Sequence, residues 1–251
     1  MKDGCMSEKR DDILRGALRM WQPPEGPRVS VDTVLLSDFA YIRNGEKTIE
    51  LGSATGAVAL LLGLRFPLAG PIVGVEIQPA LADLAKRNAG ENGLSDRVNF
   101  ICGDLREVRN LFSSESADVV VTNPPYHELC RNRRSAGISS ATARQDLCCS
   151  LEDVLAAAKW LLRNKGRLYM VFVADRTSEL LAAMSAIRLE PKRLRFVHHR
   201  PGAYASVVLV EAVRAAGKGL FVEPPFFLRG GDGEESEDTR RAYSPGGDGC
   251  R

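Results

Sequence analysis

Apolar residues in this chain fall alternately into short β-branched runs and longer segments with helical spacing. The short runs are typical of buried strands and lie at residues 47–52, 71–76, 97–102, 117–122 and 166–174. Helical spacing extends over residues 57–64, 79–92, 151–163 and 177–189. This alternation of strands and helices predicts a parallel sheet that is covered by helices on both faces.

Two further strands are predicted at 192–198 and 204–212, and the link between them is short enough to favour an antiparallel pair. The predicted fold class is therefore α/β. We expect a doubly wound, seven-stranded, mostly parallel sheet of the Rossmann-like type, with an antiparallel hairpin at one edge.

A single domain is predicted over residues 11–229. It begins with a lead-in at 11–40, in which Asp32 is predicted to cap a helix. Residues 1–10 are polar and predicted to be flexible. The Gly-, Ser- and acid-rich residues 230–251 are predicted to be disordered.

The composition is that of an ordinary soluble globular protein, with 44% hydrophobic and 26% charged residues. No apolar run approaches the roughly 18 residues of a membrane span, and no hydrophobic segment follows the N-terminus. A cytoplasmic protein without membrane contact is therefore expected, with a monomer favoured. The six cysteines include no Cys-x-x-Cys pair and the three histidines have no ligand spacing, so no metal site is expected.

The tetrapeptide Asn123-Pro124-Pro125-Tyr126 stops the predicted strand at 117–122. In an open α/β sheet, ligands bind beyond the carboxyl ends of the strands, so these residues are expected in the ligand crevice. The prolines provide carbonyl acceptors without amide donors, the asparagine adds a side-chain carbonyl, and the tyrosine adds a flat face. Together these groups suit a planar group that carries an NH2; a simple proline-rich turn is the alternative.

A second candidate site lies at the ends of the first three predicted strands. The turn 50–56 contains glycines that allow close approach to a ligand, but it lacks the Lys-Ser/Thr pair of a phosphate-binding loop. Glu76 is placed to accept hydrogen bonds from ribose hydroxyls, and Asp104 to accept one from the amino group of adenine. An adenine–ribose ligand without a pyrophosphate anchor favours S-adenosylmethionine over a dinucleotide.

Five segments carry a resemblance that extends from about residue 11 to about residue 225. They are SVDTVLLSDF at 30–39, GVEIQ at 74–78, NPPY at 123–126, ARQD at 143–146 and RFVH at 195–198. The chain resembles the class I S-adenosylmethionine-dependent methyltransferases with an Asn-Pro-Pro-Tyr motif. More closely, it resembles the bacterial tRNA1(Val) adenine-N6 methyltransferase family, which modifies the adenine just after the anticodon.

The resemblance implies an enzyme that methylates the exocyclic N6 of an adenine in RNA, with tRNA as the expected partner and S-adenosylhomocysteine as the product. The implied target-base residues are Asn123, Pro124, Pro125 and Tyr126. The predicted cofactor site comprises Glu50, Gly52, Ser53, Gly56, Glu76, Ile77, Asp104, Leu105 and Asn123. Ala54 departs from the family, which usually has glycine there; we expect alanine to be tolerated if its φ is negative.

Other activities are compatible with the same fold and tetrapeptide. They are methylation of guanine in rRNA, methylation of a protein glutamine, and RNA binding by a non-catalytic subunit that has lost cofactor affinity.

The net charge of +2 divides unevenly along the chain. Residues 232–251 contain six acids and three bases, which leaves a basic surplus of five on the rest and permits a polyanionic partner. Two basic clusters could bind a phosphate backbone, one in the long excursion at 127–150 and one around the last hairpin. The candidate RNA contacts are Arg131, Arg133, Arg134, Arg144, Arg195 and Arg200; a solvated charged surface is the alternative.

Overall fold

The computed structural model describes residues 9–23, 28–124 and 149–244. Its strands are β1 (Lys9–Ile13), β2 (Leu18–Gln22), β3 (Thr48–Leu51), β4 (Ile72–Glu76), β5 (Val98–Cys102), β6 (Ala117–Thr122), β7 (Leu162–Val173), β8 (Leu189–His198), β9 (Ala205–Arg214), β10 (Phe221–Val222) and β11 (Phe226–Phe227). Its α-helices are α1 (Val31–Phe39), α2 (Ala57–Arg65), α3 (Pro79–Glu91), α4 (Val108–Leu111), α5 (Leu151–Leu161), α6 (Thr177–Ala186) and α7 (Glu237–Ala242).

The main sheet has the order β10-β8-β9-β7-β6-β3-β4-β5, with β11 also paired to β8. Strands β5, β4, β3, β6 and β7 are mutually parallel, whereas β9 is antiparallel to both β7 and β8. This arrangement confirms the predicted doubly wound sheet with an antiparallel edge pair. The sheet has nine strands where seven were predicted, because the two-residue strands β10 and β11 extend its edge beside β8.

Helices cover both faces of the sheet, and each face buries its own apolar core. Helices α1, α2 and α3 pack on one face, with Leu36 and Leu60 completely buried there. Helices α5 and α6 cover the other face around Phe172 and Met170, which are also completely buried. Burial on both faces explains why the central strands are almost continuously apolar.

The N-terminal lead-in forms a β1–β2 hairpin that packs on α3 and a helix, α1, that packs on α2. The completely buried Asn88 of α3 attaches the hairpin to the rest of the domain. Its side chain bonds the backbone of Trp21 in β2 and the carbonyl of Thr55 in the β3–α2 turn. Ser30 caps α1, since its Oγ accepts the Thr33 N–H at 3.4 Å. The predicted cap, Asp32, lies instead in the first turn of α1.

The prediction of a disordered segment over 230–251 is wrong for its central part. Ser236 caps α7, and Thr239 and Ala242 of this helix are buried against the domain. Arg195 pairs with Asp238 at 3.0 Å, and Arg65 donates to the carbonyl of Ala242. The segment is ordered because its few apolar positions and its acids meet partners on the domain, although its composition is that of a polar tail.

Within the described ranges, no helix has both the length and the apolar character that a membrane span requires. The same residues contain no group of three or more His, Cys, Asp or Glu side chains placed to hold a metal ion.

Candidate functional site

A cavity of about 720 Å³ opens at the carboxyl ends of β3, β4, β5 and β6. Most of the residues predicted for the cofactor and the target base line it. They are Glu50, Gly52, Ser53, Glu76, Ile77, Asp104, Leu105, Asn123 and Pro124. The two predicted sites are therefore parts of one cavity.

The two glycines of the β3–α2 turn have different roles. Both have positive φ, +73° at Gly52 and +86° at Gly56, so both favour glycine. A Cβ at Gly52 would meet nothing within 4 Å, which leaves space for a ligand close to the backbone. A Cβ at Gly56 would lie 2.5 Å from the Phe100 ring, and Gly56 is not among the cavity-lining residues. Gly56 therefore serves the packing of the turn on β5.

Ala54 has φ +46°, which is the left-handed conformation, so the stated condition for tolerating alanine there, a negative φ, is not met. For a residue with a side chain, this conformation costs about 1–2 kcal/mol. Glu76 stabilises it, because Glu76 Oε2 accepts the Ala54 N–H at 2.8 Å. Glu76 Oε1 accepts the Gln78 N–H at 3.0 Å, so the carboxylate fixes the turns after both β3 and β4.

Glu50 is 2% exposed, and its Oε2 accepts the N–H of Ala59, in the first turn of α2, at 2.9 Å. Burial raises the pKa of the Glu50 carboxyl well above its usual range. The bond from Ala59 opposes this shift and the Glu76 charge adds to it. Glu50 thus combines a structural role in the turn with a position in the cavity wall.

Asp104 lies in the cavity wall after β5 and pairs with Arg106. The guanidinium Nη2 is 2.5 Å from Asp104 Oδ2, and the Arg106 N–H donates to Oδ1 at 2.8 Å. Burial raises the pKa of the Asp104 carboxyl, but the bonds from Arg106 outweigh it and hold that pKa below its usual value. Asp104 is therefore ionised at neutral pH and can accept a further hydrogen bond only by sharing its oxygens with Arg106.

Asn123 lies at the end of β6, and its Nδ2 donates to Thr33 Oγ1 in α1 at 3.4 Å. The adjacent Thr122 donates to the Leu51 carbonyl at 3.0 Å, which joins the ends of β6 and β3. Pro124 is buried beside Asn123. Pro125 and Tyr126 lie outside the described residues.

Sequence reasoning missed the contribution of the lead-in to this cavity. Arg28, Ser30, Asp32 and Thr33 line it from the start of α1, and burial raises the pKa of the Asp32 carboxyl. The SVDT sequence within the family resemblance was the available signal. Its spacing predicts only a helix start, because nothing in it indicates that the beginning of α1 lines the cavity.

The predicted RNA contacts are placed differently from one another. Arg195 is 8% exposed; its Nε donates to the Pro224 carbonyl, its Nη2 pairs with Asp238 at 3.0 Å, and its guanidinium stacks on Phe226. We therefore correct its assignment, because this guanidinium is enclosed by partners within the domain. Arg200 is exposed in the β8–β9 turn. Arg131, Arg133, Arg134 and Arg144 lie outside the described residues and stay predictions.

The fold and this cavity define a methyltransferase domain, and residues 42–198 match the family model of that description. A tRNA1(Val) (adenine(37)-N6)-methyltransferase from Porphyromonas gingivalis is 30% identical over 217 residues, which cover 84% of this chain and 81% of the relative. The chain belongs to the tRNA1(Val) (adenine(37)-N6)-methyltransferase family, within the proteins that have this methyltransferase domain.

Solved structures agree on the fold. A protein described as a predicted O-methyltransferase from Agrobacterium tumefaciens has a TM-score of 0.68 and 19% identity, with 84% of this chain and 96% of that chain covered. Geranyl diphosphate C-methyltransferase from Streptomyces coelicolor, in complex with S-adenosyl-L-homocysteine, has a TM-score of 0.52 and 16% identity over 73% of this chain and 75% of its own.

Proposed function

We propose that this chain transfers a methyl group from S-adenosylmethionine to the exocyclic N6 of an adenine in tRNA. One observation carries the proposal: Asn123 and Pro124 line the same cavity as Glu76 and Asp104. Acceptors suited to a target amino group thus lie beside acids suited to an adenosine cofactor. The relative named tRNA1(Val) (adenine(37)-N6)-methyltransferase supports adenine in tRNA over guanine in rRNA or a protein glutamine.

The residues present fit S-adenosylmethionine. The Ser53 Oγ is buried and has no hydrogen-bond partner among the described residues, so the cavity wall contains a polar atom that a ligand could satisfy. The space over Gly52 accommodates close approach to the backbone. We propose that Glu76 binds the ribose hydroxyls and Asp104 the adenine amino group. Glu50, Ile77 and Leu105 also line the cavity. Gly56 supports the β3–α2 turn by close packing against Phe100 of β5.

S-adenosylmethionine supplies an electrophilic methyl group on a sulfonium. The lone pair of an adenine amino group is delocalised into the ring, which makes the nitrogen a poor nucleophile. Hydrogen bonds from the two N–H groups to Asn123 Oδ1 and the Pro124 carbonyl favour a more pyramidal nitrogen. As positive charge grows on that nitrogen during transfer, the same acceptors stabilise it. The proton can leave afterwards to water, so the transfer step requires neither a general base nor a metal.

Two parts of this proposal concern residues outside the described ranges. Tyr126 stacks on the extruded base, and Pro125 stiffens the tetrapeptide. We further propose that a single methyltransferase unit acts as a monomer and extends beyond the predicted bounds of 11–229 to include the docked helix α7.

The proposal is tested with purified protein, S-adenosylmethionine and total tRNA from a strain that lacks the gene. Nucleoside mass spectrometry is expected to detect new N6-methyladenosine in the tRNA. Transfer to guanine or to a protein glutamine instead would replace the substrate assignment. Failure to bind S-adenosylhomocysteine in calorimetry would favour the non-catalytic RNA-binding subunit.

A further inference from the structure

The β8–β9 turn, residues 199–204, lies at the same edge of the sheet as the cavity. Thr122, the last residue of β6, is paired with Met170 of β7. Strand β7 continues for three more residues to Val173, which is paired with Val207 of β9. At about 3.3 Å per residue, the turn therefore extends roughly 10 Å or more beyond the end of β6. It lies two to three strands away from Asn123 in the sheet order, and its residues do not line the cavity itself.

The backbone of this turn is well fixed. The Ala203 N–H donates to the Arg200 carbonyl at 3.1 Å, and His198 Nδ1 contacts the Ala203 carbonyl at 2.8 Å. The Arg229 N–H donates to the His199 carbonyl at 3.0 Å, which attaches the turn to the segment after β11. A turn held in this way loses little backbone conformational entropy on binding.

Tyr204 is the most exposed large hydrophobic side chain in the described part of the chain. It is 99% exposed, compared with 67% for Leu68 and 65% for Phe221. A single exposed apolar residue is ordinary on a protein surface, but this one lies in a turn at the same edge of the sheet as the cavity. Residues 199–204 have the sequence HRPGAY, which contains an arginine and a histidine and no acid. An aromatic face beside the exposed Arg200, in a turn that has no carboxylate of its own, is complementary to single-stranded RNA.

We propose that residues 199–204 bind the RNA nucleotides next to the target adenine, with Tyr204 stacked on an unpaired base and Arg200 in contact with a phosphate. The inference rests on the proposed function, because it takes RNA as the substrate that enters the cavity. It adds a surface that holds the flanking strand while the target base enters between Asn123 and the cofactor. Sequence-specific RNA recognition commonly uses unpaired bases stacked on aromatic side chains, which fits a base extruded from a loop.

The test compares tRNA binding by Tyr204→Ala, Tyr204→Trp and Arg200→Gln with that of the parent protein. Stacking on one aromatic side chain predicts a roughly 5- to 150-fold weaker affinity for Tyr204→Ala and near-parent affinity for Tyr204→Trp. Arg200→Gln is expected to lower the log–log salt slope of binding by about 0.7–0.9. The matched control is Phe221→Ala. Phe221 is an exposed aromatic residue in β10 that is paired with Arg193, five residues before the end of β8 at which the turn begins. It is expected to bind as the parent does.

Affinity for S-adenosylhomocysteine and the Tm are expected to be unchanged in all four variants. Equal tRNA affinity in the parent and Tyr204→Ala would overturn the inference, as would an equal loss in Phe221→Ala. Binding is measured without methyl transfer, so the comparison stands even if the parent fails to methylate adenine. That separate failure would contradict the proposed function and leave the binding surface to be judged on its own result.

Discussion

The backbone N–H of Ala54 donates to Glu76 Oε2 at 2.8 Å, which joins the turn after β3 to the last residue of β4. Within the β3–α2 turn, Ala54 has an unfavourable left-handed backbone, at φ +46°. Glu76 is the carboxylate proposed to bind the ribose. Glu76 therefore has two roles. In the free protein it holds the turn after β3, and in the complex it is proposed to bind the ribose as well.

Ala54→Gly is expected to raise the free energy of unfolding by about 1 kcal/mol and the Tm by about 2–4 °C. Glycine removes the left-handed strain, and the greater freedom of the unfolded chain offsets part of that gain. Since the folded parent already contains the strained turn, S-adenosylhomocysteine affinity should change by less than about twofold. Thermal unfolding and calorimetry measure the two quantities.

The matched control is Ala215→Gly, at φ +54° directly after β9 and at the opposite edge of the sheet. It should raise the Tm similarly without any effect on the cofactor. A cofactor affinity that rises several-fold in Ala54→Gly alone would mean that the alanine methyl group impairs the site.

Glu76→Ala is expected to weaken S-adenosylhomocysteine binding by about 1.5–3 kcal/mol, or roughly 10- to 150-fold, the scale of hydrogen bonds to a charged acceptor. The Tm should also fall, because the N–H groups of Ala54 and Gln78 lose their acceptor. Glu91→Ala, at the exposed end of α3, serves as the control acid and should leave both quantities unchanged. Parent affinity in Glu76→Ala would remove this carboxylate from the cofactor site.

Glu50→Gln is expected to stabilise the protein increasingly as the pH rises. Burial raises the pKa of Glu50 in the folded state, so the stability that this group contributes is present below its unfolded pKa and is lost at higher pH. Glutamine keeps an oxygen for the Ala59 N–H and removes the titration. The Tm difference between variant and parent, measured from pH 4.5 to pH 8, should therefore increase with pH. A difference that is constant over this range would contradict a raised pKa at Glu50.

Arg195→Gln is expected to lower the free energy of unfolding by about 2 kcal/mol and the Tm by about 4–8 °C, because Asp238 and the Pro224 carbonyl lose a charged donor. The salt dependence of RNA binding should be unchanged. Arg200→Gln, on the exposed turn, should show the reverse pattern. If Arg195→Gln kept the parent Tm and bound RNA more weakly, the original assignment of Arg195 as a phosphate contact would be restored.

The positions of the central strands, their parallel arrangement and the placement of Glu76, Asp104 and Asn123 at one edge of the sheet could be predicted, because β-branched runs locate the strands and parallel strands share one carboxyl edge. The burial of Arg195 could not, since a charge in the sequence does not reveal its partners across 43 residues of chain. Helix α7 could not be predicted because it has no apolar period. It is stabilised by the Ser236 cap and by the burial of Ala242. The left-handed φ of Ala54 could not be predicted either, because the acceptor that stabilises this turn, Glu76, is 22 residues away in the sequence.

The measurement that bears most directly on the proposed function is the single-turnover rate of methyl transfer to adenine N6 in tRNA by Asn123→Ala. Removing one preorganised acceptor that acts in the transition state is expected to lower this rate roughly 100- to 1000-fold, with S-adenosylhomocysteine affinity close to that of the parent. The control Asn110→Ala, at an exposed position on α4, should retain the parent rate. A near-parent rate for Asn123→Ala would show that the tetrapeptide is only a turn and would contradict the proposed mechanism.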